Sequence, residues 1–152
     1  MSQAVLLDAG PLGLATNPRR SQQSLACATW LQSLITAGVR VVIPEIADYE
    51  VRRELLRARK VAGVERLDAL AGLLENLPIT TAAMRQAAAF WATARHQGQP
   101  TASDKAIDGD MILAAQGATL GTAVVVATTN VDHLSRLVPA KLWEAVSVDE
   151  VL

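Results

Sequence analysis

The chain has 152 residues and a net charge of −1, from 14 basic and 15 acidic side chains, which argues against a protein that grips nucleic acid through global charge. Such a length suits one domain, here taken as residues 1–152, able to hide about 68–70% of its unfolded surface. Hydrophobic residues make up 51% but aromatics only 3%, so Ala, Leu and Val must build the core. No apolar run is long enough for a membrane span. The opening MSQAVLLDAG lacks the basic start and long apolar stretch of a signal peptide. The lone Cys27 rules out an internal disulfide and a thiolate metal site, which fits the cytoplasm.

Residues 3–8, QAVLLD, read as a short buried strand ending on an acid. GPLGLATNPRR follows, a loop by its Gly, Pro and Asn content. From Gln22 to Ala37, Leu25, Trp30, Leu31, Leu34 and Ile35 recur at helical spacing, and Gly38 supplies a C-terminal cap. Val39–Ile43 is β-branched and bounded by Gly38 and Pro44, hence a second strand. Pro44 suits the first turn of a helix over Glu45–Lys60. A further helix runs from about Val64 to Asn76, and Thr80 or Thr81 caps a long Ala-rich one reaching His96. HQGQPTASDKAIDGD is a polar loop; a helix over about Asp108–Leu120 leads to the strand Thr122–Thr128, and LWEAVSVDEVL offers a last strand. The alternation predicts an α/β fold: a central parallel sheet of about four to five strands with helices on both faces.

In open α/β sheets, sites form beyond the carboxyl ends of the strands. Asp8 ends the first strand, and Asn130 and Asp132 follow VVVATT. Glu50 lies about two turns into the helix after the second strand. Asp104, Asp108 and Asp110 crowd a helix start whose next residues, MILAA, are wholly apolar and point into the protein. The helix N-terminus favours such acids by about 0.3–1 kcal/mol each, yet carboxylates gathered in one cleft still repel. Hard oxygen donors without Cys select Mg²⁺ or Mn²⁺ over zinc, and these ions promote phosphodiester hydrolysis through activated water.

At these residues the chain resembles the PIN-domain family. LLDAGPL is similar to that family's opening motif, PEIADYEVRREL to its second, DGDMILAAQ to its third and VVATTNVDHLSRL to its fourth. The four come in family order and span residues 5–137. The resemblance implies a metal-dependent ribonuclease similar to toxins of bacterial toxin–antitoxin pairs. It makes Asp8, Glu50 and Asp110 metal ligands and places Asn130 fourth, where many members have Asp. Asp108 and Asp132 are further ligand candidates. It also implies an RNA substrate, a homodimer and a small antitoxin protein that plugs the site.

Each acid has a plainer reading. Asp8 can cap a turn, Glu50 can pair with Arg53 at the surface, and Asp108 can be the helix N-cap, which leaves Asp110 facing the cleft. Asp104 reads as a loop or cap residue. His96 and His133 read as surface or packing residues, and Trp30, Trp91 and Trp143 as core or dimer interface. The run RRELLRARK carries five basic residues and one acid; Arg52 and Arg53 there, with Arg19 and Arg20 beyond Asp8, are candidate RNA phosphate contacts. A phosphatase with an aspartyl nucleophile would need a second Asp where Gly10 stands, and a receiver domain lacks its acidic pair and late Lys. The remaining alternative is a PIN-like module without catalysis that binds RNA or protein, kept open by Asn130.

Overall fold

A computed structural model describes residues 2–97 and 104–152, with only the backbone of 104–107. The polar segment at 98–103 and the side chain of Asp104 lie outside the described residues. Five parallel strands form one sheet: β1 (Ala4–Leu7), β2 (Val41–Pro44), β3 (Glu75–Leu77), β4 (Val124–Thr128) and β5 (Ala140–Leu142), in the order β3-β2-β1-β4-β5. Among the described residues seven α-helices accompany it: α1 (Ala9–Thr16), α2 (Gln22–Thr36), α3 (Glu45–Arg57), α4 (Val61–Leu73), α5 (Thr81–His96), α6 (Asp104–Ala118) and α7 (Val148–Val151).

β1, β2 and β4 are buried at every position, which is why their sequences are continuous apolar runs rather than alternating ones. Their side chains divide between two cores. Val5, Leu7, Val41, Ile43, Val125 and Ala127 meet Leu12, Cys27, Leu34, Val51 and Leu67 from α1 to α4. On the opposite face Leu6, Val42, Val124 and Val126 meet Ile46 at the start of α3, Leu113 and Ala114 of α6, and Leu134. Ala83 and Ala87 of α5 then pack on Met111 and Ala115 of α6. Helices on both faces of a parallel sheet are as the alternation predicts.

Four local expectations need correction. GPLGLAT is helix α1, not loop: Asp8 caps it by accepting from the Ala9 N–H at 2.7 Å, and Pro11 falls in the first turn, where a missing N–H costs nothing. The helix expected to reach Asn76 stops at Leu73 and yields to β3, whose Glu75 pairs with Arg40 at 2.8 Å. At the carboxyl end, the strand comes at Ala140–Leu142, and the tail beyond it turns through a 3-10 segment into α7. Helix α6 starts at Asp104, so Asp108 lies inside it and is not its cap. Gly38, with φ at +81°, does close α2, its N–H donating to the Ile35 carbonyl. Trp143 is buried and half-buried Trp30 tilts against it with ring centroids 5.5 Å apart, whereas Trp91 is exposed.

One buried polar side chain ties the two cores' helices together. Gln116 of α6 donates to the Leu77 carbonyl at 2.8 Å and accepts from the Ile46 N–H at 3.4 Å, joining α6 to β3 and to the first turn of α3. Gln116→Leu would leave both backbone groups without their partner in a dry place, at a cost of about 1–3 kcal/mol. Urea denaturation should show the loss; an unchanged midpoint would mean that the clamp contributes nothing.

Candidate functional site

The sheet order reverses direction between β1 and β4: from β1 the chain builds outward through β2 and β3, then returns to add β4 and β5 on the other side. A crevice opens at the carboxyl ends of strands at such a switch point, and Asp8 stands there. Its N–H continues the ladder by donating to the Ala127 carbonyl at 3.0 Å. One carboxylate oxygen accepts from the Ala9 N–H and the other from the Thr128 hydroxyl, both at 2.7 Å. Burial pushes the Asp8 carboxyl above its ordinary range, and these two hydrogen bonds pull it back in part. The bland role (a cap) and a site role are thus filled by the same side chain.

Helix α3 brings Glu50 to the same place, and helix α6 brings Asp110. Burial first, then the nearby charges of Asp8 and Asp110, raise the Glu50 carboxyl, while Arg53 opposes them. Asp110 is pushed up to about 6 by burial and by Asp8, with His133 opposing. The Glu50 carboxylate lies against the α6 backbone beside Gly109, where an added Cβ would stand 3.2 Å from both of its oxygens. Three acids from three elements therefore share one electrostatic neighbourhood.

The other sequence candidates have varied surroundings, and the Asn130 N–H donates to the Thr128 hydroxyl that holds Asp8, at 3.1 Å. Asp108 faces the groove between α5 and α6, beside Met84, Trp91 and Ile112. Asn130 is exposed, and its side-chain oxygen accepts from the Asp132 N–H at 3.1 Å in a local turn; Asp132 is also exposed. Arg52 is matched by Asp48 at 2.8 Å and Asp68 at 2.7 Å. Arg20 donates to the Ala15 carbonyl, and Arg19 is exposed. Arg53 stacks over Tyr49, 5.2 Å from the ring centre, and lines a cleft of about 450 Å³ together with Ala9, Gly10, Glu50, Arg57 and Lys60. His96 is exposed at the end of α5.

Sequence reasoning passed over three contributors. Thr128 was visible only as one Thr of a TTN triplet, although its hydroxyl orients Asp8. His133 lies within the fourth motif but reads there as a surface or packing residue; the fold brings it near Asp110. Gly10 was read for the acid it lacks, yet its Cβ would come within 2.5 Å of the Thr129 hydroxyl, so no larger residue fits without movement. Cys27 is no nucleophile: it is buried, donates to the Pro11 carbonyl, and is pushed up to about 12, chiefly by burial.

Could these acids hold a cation? Among the described residues no three His, Cys, Asp or Glu side chains are set closely enough to form a finished metal cage. The chemistry of the donors nonetheless fits a hard divalent ion. They are carboxylate oxygens without thiolate, in a partly dry cleft where like charges raise one another's proton affinity. Asp8, Glu50 and Asp110 are the carboxylates that would hold such an ion.

An α/β fold with an acidic cleft at its switch point is the class that these observations define. Neither a protein-family model nor a curated protein matches the sequence. Solved structures do match. VapBC2 from Rickettsia felis, bound to a DNA fragment from its promoter, superposes with a TM-score of 0.72 at 14% identity, covering 93% of this chain and 99% of that one. VapBC-1 from nontypeable Haemophilus influenzae gives 0.68 at 15% identity, over 93% and 99%. FitAcB from Neisseria gonorrhoeae gives 0.62 at 19%, again over 93% and 99%. At these identities the likeness is one of fold, and the fold is the PIN-like one that the four motifs imply.

The raised acids set a pH dependence. Asp110 binds its proton more tightly folded than unfolded, so its contribution to stability is full below its ordinary value of 3.8 and is lost as pH rises through about 6. Without divalent cations, Asp110→Asn should therefore be the more stable protein at pH 7.5. The gain is on the order of 1 kcal/mol after solvent screening, or about 2–4 °C in Tm, and it should vanish below pH 4. Calorimetry at the two pH values checks this; equal melting of parent and variant at pH 7.5 would show that Asp110 carries no such strain.

Proposed function

We propose that the protein is a metal-dependent endoribonuclease, acting as the toxin of a toxin–antitoxin pair. The observation that carries this reading is the meeting of Asp8, Glu50 and Asp110 at the switch point, beside a cleft with a basic wall. Mg²⁺ or Mn²⁺, when bound by these acids, supplies the positive charge that makes water nucleophilic at neutral pH and offsets charge on the leaving oxygen. The protein's own part is positioning. Thr128 and the Ala9 N–H hold the Asp8 carboxylate in one orientation. Arg53, Arg57 and Lys60 line the cleft that leads away from Glu50. Arg57 is partly neutralised by Glu54 at 2.7 Å, while Lys60 forms no ion pair among the described residues, so Arg53 and Lys60 are the stronger phosphate contacts. Arg52, already matched by two aspartates, is the weaker choice. No covalent protein intermediate is required, in keeping with the buried, protonated Cys27.

Support for a protein partner comes from the neighbours, several of which are named as two-component assemblies. A homodimer would give cover to the groove where Met84 and Trp91 of α5 stand 47% and 40% exposed. Among the described residues no helix is long and apolar enough to cross a membrane. One observation favours the second reading, a binding module without catalysis: the Asn130 side-chain oxygen is already engaged by the Asp132 N–H in its own turn.

Incubation with total RNA, with and without EDTA, separates the two readings. Asp8→Ala should abolish Mg²⁺- or Mn²⁺-dependent cleavage and leave RNA binding intact or tighter, because a negative charge near the phosphates is gone. Arg53→Ala and Lys60→Ala should do the reverse, weakening binding and lowering its salt slope by about one unit each. RNA that is bound but never cut by the parent in either metal would establish the binding module instead.

A further inference from the structure

Residue 109 stands inside α6, where glycine is a poor helix former and an alanine would be the stabilising choice. Nothing in the backbone demands it: among the described residues the glycines with positive φ are Gly38 and Gly121. What Gly109 does have is a neighbour. A Cβ built there meets the two oxygens and the carboxyl carbon of Glu50 at 3.2, 3.2 and 3.4 Å, the nearest described atoms apart from its chain neighbours and its own helix backbone. These distances are tighter than ordinary contact, and Glu50 would have to withdraw by a few tenths of an ångström. Gln116, two turns further along α6, pins the same helix to the Ile46 amide of α3, one turn before Glu50. With that clamp in place the helices cannot separate freely, so the displacement would fall on the carboxylate.

We infer that Gly109 is a positioning residue: by lacking a side chain it lets the Glu50 carboxylate rest against α6 and so sets its spacing from Asp110, the next residue on that helix. The inference rests on the reading of Glu50 and Asp110 as ligands of one cation. It assigns to a residue without chemistry of its own the geometry on which a shared ion depends. Coordination tolerates deviations of only about 0.2 Å, so the shift that a methyl group imposes is enough to matter.

The test uses the full chain with Gly109→Ala, alone and combined with Glu50→Ala and Glu50→Asp. Titration calorimetry with Mn²⁺ should show the Gly109→Ala Kd raised about tenfold, while Tm without metal stays within a degree of the parent or rises. Glu50→Asp, one methylene shorter, should recover part of the lost affinity in the Gly109→Ala background although it weakens binding in the parent. A second arm needs no metal. In the Glu50→Ala background nothing opposes the new methyl group, and Gly109→Ala should raise Tm by about 2 °C, more than it does with Glu50 present. Unchanged Mn²⁺ affinity in Gly109→Ala would overturn the inference, and so would equal Tm gains in the two backgrounds. A parent that binds no Mn²⁺ would end the metal reading itself, and the second arm would still decide whether Gly109 and Glu50 press on each other.

Discussion

The pairing of β1 with β4 at the centre of the sheet is the constraint from which the site follows. It fixes Asp8 twice: the ladder holds its backbone through Ala127, and the Thr128 hydroxyl holds its carboxylate. A carboxylate so placed is drawn out of water, which disfavours its charge. The N-terminus of α1 and two hydrogen bonds offset part of that cost. Glu50 and Asp110 then approach under the same penalty, each made less acidic by burial and by its neighbours. The cleft is consequently a place where burial and neighbouring carboxylates both disfavour negative charge. A fold selected for stability alone would not gather three acids there, and crowding of this kind is characteristic of sites that bind or act.

Charge on α3 is sorted by the helix rather than by the sequence. Arg53 and Arg57, four apart on α3, share one face, and together with Lys60, in the turn between α3 and α4, they border the cleft. Arg52 is rotated to the flank and closes ion pairs with Asp48 and Asp68. A chain of net charge −1 can therefore present a basic wall immediately beside an acidic centre. If the protein acts as proposed, local opposition of this sort would draw a phosphodiester along the wall toward the acids, without the indiscriminate attraction of a globally basic protein.

The strands that the sequence shows most plainly are those whose two faces are both buried. β1, β2 and β4 leave unbroken β-branched or aliphatic runs, and the apolar MILAA stretch marks α6 as buried. The elements that sequence reading missed are set by tertiary contact. The three residues of β3 include no β-branched one, and its edge position is held by Arg40–Glu75 and by Gln116. The composition of α1 is that of a loop, and only the Asp8 cap and the packing of Leu12 on the core make it a helix. Of the site, the acids could be ranked because an acid at the end of an apolar strand or inside an apolar helix is out of place. Thr128 and His133 could not, since a hydroxyl at a strand end and an isolated imidazole are ordinary there. The sequence favours Asp110 over Asp108 by taking Asp108 as the N-cap, but α6 begins at Asp104; two residues apart inside it, they face different neighbours, one the groove beside α5 and one Asp8.

Composition and site meet in the closeness of the packing. With 3% aromatics, the core cannot be filled by large rings, and elements must approach through small residues instead. Gly63 of α4 lies where a Cβ would come within 2.5 Å of Leu55, and Gly10 of α1 where it would come equally close to Thr129. Each marks a seam at which one element is pressed onto another: α4 onto α3, and α1 onto the turn after β4. These seams fix α3 and β4 relative to α1, whose cap is Asp8. The acids are brought together by the same close contacts that an Ala-rich sequence with a few well-placed glycines makes available, so the feature that reads as a bland core also bears on the dimensions of the cleft.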